Sequence, residues 1–300
     1  MALATFKNFI RGNGVGAPAD LSITPRNRRF GRETVSQTRW WNGGDPYGTA
    51  FYNALSATFP LGEAFFVESV KAFREGVPER LAREIRAFTQ QEVMHSREHL
   101  AFNRRAADSG YDLSRLEKRV EDQLALTADR PKIASLLVTI ALEHFTAIMA
   151  HEALKNPAHF ASAERETADL WRWHAIEEIE HKGVAFDVWQ HASRDWSALK
   201  RWQMRSFSML LTSFLFVRYR WSGMLDLLAQ DGITGPRAWW GLARFAFARP
   251  GMVRRIALPW LAYFLPGFHP WQEDDRALID LAESEYEAAV STRREPAAAM

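Results

Sequence analysis

A glutamate followed three residues later by a histidine occurs twice in this chain, as Glu92-Val93-Met94-His95 and as Glu178-Ile179-Glu180-His181. At i, i+3 on a helix, both side chains of each pair leave from one face. A lone glutamate precedes each pair by a comparable distance: Glu63 comes 29 residues before Glu92, and Glu143 comes 35 before Glu178. Glu, Glu-x-x-His, Glu, Glu-x-x-His on four successive helices is the donor set of two metal ions held inside a four-helix bundle. Few folds can bring these six side chains to one point, so the pattern constrains both the architecture and the chemistry.

The rest of the chain agrees with an all-α protein. Helical periodicity begins near Pro46, and no period-two strand pattern is present. The first core helix is expected over about 47–75, kinked by Pro60. The second is expected from Pro78 to about 110, the third over about 131–155 and the fourth over about 162–192. A further helix covers about 197–229. Shorter pieces follow, broken at Gly235-Pro236, Pro250-Gly251, Pro259 and Pro266-Gly267. A charged helix is expected from 273 to 290, before a disordered tail. The organisation is thus an irregular arm (1–45), a di-metal bundle (46–195), additional aromatic and basic helices (196–272) and a C-terminal helix and tail (273–300), forming one globular domain.

Composition removes several classes. Lys and Arg total 38 against 36 Asp and Glu, a net charge of +2, so nothing in the overall balance suggests nucleic-acid binding. There is no cysteine. Any metal must therefore be held by nitrogen and oxygen, and no disulfide framework exists. The N-terminus lacks the apolar run and cleavage site of a signal peptide, which points to the cytoplasm. No phosphate-binding glycine motif occurs.

Register sorts the candidate donors. Glu92, His95 and His99 share one stripe, and His174, Glu178 and His181 share another. Glu143 lies in the otherwise apolar run Leu136–Phe145, where an unpaired carboxylate is costly to bury. Glu63 stands among Phe-Pro-Leu-Gly and Ala-Phe-Phe with the same difficulty. His174, four residues before Glu178, brings a third imidazole within reach of the same ion. The alternative for it is a hydrogen bond to a ligand carboxylate. Glu177 and His144, one residue off their stripes, are second-choice ligands. Glu68 turns away, and Glu152 should be solvated. His99 and His151 read most simply as core histidines. His159, His191 and His269 carry no functional assignment.

With these residues in view, the pattern resembles the ferritin-like di-iron carboxylate superfamily. The His174-x-x-x-Glu178-x-x-His181 variant is similar to the p-aminobenzoate N-oxygenase group. Trp40–Pro46, Asn53–Glu63, Gln90–His99 and Pro266–Trp271 resemble a bacterial family described as predicted metal-dependent hydrolases, over about 25–275. The superfamily resemblance implies Glu63, Glu92, His95, Glu143, Glu178 and His181 as ligands, and the N-oxygenase resemblance adds His174.

Donors of this hardness suit iron first, with manganese or zinc as alternatives. Two such ions support either O₂-dependent oxidation or activation of water for hydrolysis. The absence of Asp and of His-x-His from the stripes favours oxidation of a hydrophobic or aromatic small molecule, supplied with electrons by an external donor. Metal-dependent hydrolysis is the alternative, and metal storage the third. Residues 204–265 interleave aromatic side chains with arginine. They read as packing helices, a lid, a homodimer interface or a peripheral membrane contact.

Overall fold

The computed structural model describes residues 16–31 and 38–294. Residues 1–15 and 32–37 of the arm, and the tail beyond 294, lie outside them. Every element among the described residues is helical, apart from one isolated antiparallel bridge between Asn42 and Ala163.

The helices are α1 (Pro46–Ser56), α2 (Phe59–Lys71), α3 (Glu79–Asp108), α4 (Ser114–Ala125), α5 (Lys132–Lys155), α6 (Arg165–His181), α7 (Val184–Ala192), α8 (Ala198–Gln230), α9 (Gly235–Phe247), α10 (Met252–Ala262) and α11 (Arg276–Arg294). Helix α2 lies along α3, and α5 lies along α6. These four enclose the centre, while α8 packs across α1 and α5.

The core stripe of α3 shows how the sequence encodes this. Leu81, Ile85, Phe88, Glu92, His95, His99, Phe102 and Ala106 alternate steps of four and three, and all are buried. That is the seam of a bundle helix, with polar side chains at its three central positions. The apolar ends bury in the ordinary way, at about 1.5–3 kcal/mol for each large side chain. The middle does not.

Two expected helices are each divided. The 47–75 helix is not kinked at Pro60. It ends at Ser56 and restarts at Phe59, with Pro60 at the start of α2. A proline in a first turn loses no intrahelical bond, because its missing N–H would be an orphan there. The 162–192 helix breaks at Lys182-Gly183. A Cβ on Gly183 would lie 2.8 Å from the Trp271 ring, so the Pro266–Trp271 segment packs directly on the break. Lys182 Nζ donates to the Glu273 carbonyl and to Asp275, each at 2.7 Å, and fastens the C-terminal segment there. Helix α4 was not anticipated.

The described part of the arm contains no helix, and it runs over α3 and α6. Phe30 packs on Trp173 with ring centres 5.4 Å apart, and its N–H donates to Glu98 at 3.0 Å. Helix α5 is long and apolar enough to cross a membrane by length and composition, with 61% of that window buried in the fold.

Candidate metal centre

All seven expected donors converge. Glu63 comes from α2, Glu92 and His95 from α3, Glu143 from α5, and His174, Glu178 and His181 from α6. None is more than 4% exposed. Their donor atoms fall into overlapping groups, each able to hold an ion: Glu63, His95 and His174; Glu92, Glu143 and His181; and Glu92, His95 and Glu178. His181 Nε2 lies 3.2 Å from Glu92 and 3.6 Å from both Glu143 and Glu178. His174 Nε2 lies 2.9 Å from Glu178 Oε1, and His95 Nδ1 lies 3.6 Å from the same oxygen.

Whether these residues fit a metal can be judged from their unpartnered atoms. Glu63 Oε1, both oxygens of Glu92, both of Glu143, Glu178 Oε2, His95 Nδ1, His174 Nε2 and His181 Nε2 are buried with no hydrogen bond of normal geometry, although the ring nitrogens lie beside carboxylates at the distances just given. Buried polar groups are nearly always satisfied. An isolated buried carboxylate is costly unless protonated or bound to a cation. Orphaned atoms that all point at one another, from every one of the seven residues, are what a cation site requires.

The other nitrogen of each histidine is occupied. His95 Nε2 meets Glu177 at 3.0 Å. His181 Nδ1 meets Gln91 Oε1 at 3.0 Å, and Gln91 donates onward to Glu180 at 2.9 Å. His174 Nδ1 meets His99 Nε2 at 2.7 Å, and His99 Nδ1 meets Ser56 at 2.9 Å. Ser56 in turn donates to Asn103 at 2.6 Å. Such partners fix the tautomer and aim the free nitrogen inward.

Two of these chains end on the arm. Arg26 donates from its backbone to Glu177 at 2.7 Å and from its guanidinium to both oxygens of Glu180 at 2.9 and 2.7 Å. Aromatic rings complete the enclosure. Phe59 stacks on His174 at 4.7 Å, Phe88 meets His181 edge-on at 4.9 Å, and Trp173 meets His95 edge-on at 4.9 Å.

The electrostatics follow from this burial. Desolvation, then repulsion from neighbouring carboxylates, pushes Glu92 and Glu143 well above the usual carboxylate range. Glu63 is pushed the same way by desolvation and Glu178, against a 2.7 Å hydrogen bond from Ser96. Burial also pushes Glu178 up, but His181 and His174 more than offset it and hold it well below that range. Burial pulls His95 down to about 3 and His174 to about 4, so both are neutral donors near neutral pH. Glu177 is raised to about 7 by burial, against the pull of Arg26.

Several other residues differ from expectation. Glu177 is not a spare ligand but the partner of His95. His99 is not an inert core histidine, since it positions His174. His144 turns away, its ring nitrogen 3.2 Å from the Pro259 carbonyl. Glu152 is buried, not solvated, and is held by Asn156 at 2.9 Å and Arg255 at 3.3 Å. His151 is only partly buried and pairs with Asp275 at 2.8 Å. Glu68 is exposed, as expected.

The sequence matches, over residues 24–274, the family described as predicted metal-dependent hydrolase. The chain belongs to that family. The match takes in the arm from Thr24, all seven donors and the Pro266–Trp271 segment, so the part of the arm that Arg26 straps over α6 and the Gly183 break lie inside the family's extent. No curated protein and no solved structure matches the chain.

Proposed function

We propose that this member of the metal-dependent hydrolase family holds two divalent ions between α2, α3, α5 and α6 and is an enzyme. The carrying observation is the set of inward-facing, unpartnered donor atoms on all seven residues. Glu63, His95 and His174 would hold one ion, and Glu92, Glu143 and His181 the other. Glu92 and Glu178 are the carboxylates within reach of both groups. Hydrolysis is the reaction that the family description supports. When bound, the ions would supply Lewis acidity and a water of lowered pKa.

The chain's own contribution is positional. Burial keeps His95 and His174 neutral, Ser96 fixes Glu63, and Phe59, Phe88 and Trp173 exclude bulk water. The dry aromatic wall favours a hydrophobic substrate.

A second reading is O₂-dependent oxidation, with iron at the site and an external electron donor. It is favoured by the donor set itself, four glutamates and three histidines without Asp, inside that aromatic wall. Metal content of freshly purified protein, followed by ester and phosphoester turnover under nitrogen, separates the two. Anaerobic turnover that scales with bound metal supports hydrolysis. O₂ uptake by the ferrous protein without anaerobic turnover supports oxidation. Protein that retains no divalent metal through gel filtration sinks both.

A further inference from the structure

Helix α8 presents an unusual face to solvent. Leu199, Phe207, Leu210, Phe214 and Val217 recur at helical spacing along one side, and each is more than half exposed. Helix α9 continues the surface with Arg237, Trp240, Arg244 and Phe247 on one stripe; Trp240 is 75% exposed. The two helices are tied by the Trp221–Trp239 ring contact at 5.4 Å. Helix α10 is tied to α8 by Trp260 donating to Ser213 at 2.9 Å, and it adds exposed Val253, Leu258 and Leu261. Contiguous apolar exposure on this scale marks an interaction surface.

The charge on the same segment decides what covers it. Between Trp196 and Leu265 there are ten Lys and Arg, of which Arg205 and Arg220 are buried, and two acids, Asp226 and Asp231. Both acids are already committed: Asp226 pairs with Arg119 at 2.6 Å, and Asp231 pairs with Arg39 at 2.6 Å and accepts from Tyr111 at 2.7 Å. The surface is therefore apolar and cationic, with no free carboxylate of its own. A second copy docking through the same face would set arginine against arginine, because an isologous contact is self-complementary. An anionic phospholipid surface offers the complement to both features: phosphates for the arginines, and an interfacial layer for Trp and Phe.

An apolar cavity of about 260 Å³ opens on the same face, between α8, α9 and α10, with Phe145 and Met149 of α5 at its wall. We infer that α8–α10 is a docking surface for an anionic bilayer, with this cavity facing the acyl layer.

Vesicle flotation tests the inference. The full chain should float with vesicles of phosphatidylcholine and phosphatidylglycerol, and at least roughly tenfold less with phosphatidylcholine alone or at high salt. Replacing the exposed side chains in a Phe214→Ser, Trp240→Ala, Phe247→Ala variant should abolish flotation, as should Arg237→Glu with Arg244→Glu, while both variants keep the wild-type circular dichroism and melting temperature. Wild-type protein that stays at the bottom with anionic vesicles overturns the inference. So does a dimer in analytical ultracentrifugation that dissociates in the Phe214→Ser variant when no vesicle is bound.

Discussion

At the residue scale, each histidine of the centre is aimed inward by a partner on its outer ring nitrogen. In each Glu-x-x-His pair, the residue just before the glutamate serves the histidine of the opposite pair. Gln91, next to Glu92, holds His181; Glu177, next to Glu178, holds His95. The repeat is therefore five residues long, Gln/Glu-Glu-x-x-His, and crosswise. Glu177→Gln keeps an acceptor but removes the charge that stabilises a polarised His95, and should weaken metal binding by roughly 10–100-fold. Competitive titration with a chromophoric chelator measures this, and wild-type affinity would exclude the role. Glu143→Ala removes two of the unpartnered oxygens and should leave the protein short of at least one metal equivalent by elemental analysis. Undiminished content would break the ligand set.

At the element scale, much was legible and some was not, for local and non-local reasons. The α3 seam could be read because a four-three alternation is a property of contiguous sequence. The same register put Glu92 with His95 and Glu178 with His181 on shared stripes, while Glu63, Glu143 and His174 were expected from spacing, apolar surroundings and the family resemblances. The packing at the Gly183 break could not be read, since the ring that fills it, Trp271, comes 88 residues later. Glu152 misled because one of its partners, Arg255, comes from another helix far along the chain. The arm has no period at all, so nothing local announced that Arg26 closes two histidine chains. Removing it tests that element. Arg26→Ala leaves Glu177 and Glu180 buried without their cation and should cost about 3 kcal/mol, read by urea denaturation of the metal-free protein. Metal release to excess chelator should quicken in parallel. An unchanged release rate would make the arm mere cover.

At the scale of the whole molecule, the buried titratable groups pull stability in two directions. Histidines lowered by burial, such as His95 and His174, contribute stability above their unfolded pKa of about 6.5 that is lost as pH falls towards 4 and 3. Glu63, Glu92 and Glu143 are raised. Their contribution is full below the unfolded carboxylate pKa and is lost as pH rises through the higher folded values. The metal-free protein should therefore melt highest between the unfolded carboxylate and imidazole values, at about pH 4.5–6, and lose stability on both sides, at roughly 2–4 °C per kcal/mol. Bound cations favour the ionised carboxylates, so the alkaline loss should vanish on metal loading. Scanning calorimetry of both forms across this range checks the sign; parallel curves would mean that the carboxylates do not face the ions.

The strap has one more consequence, in the order of synthesis. Arg26 leaves the ribosome 151 residues before Glu177 and 154 before Glu180. It cannot close until α6 has been made, by which point every donor has emerged as well. The outer contacts of Arg26 with Glu177 and Glu180 are therefore among the last that the centre can form, after all seven inward-facing side chains exist.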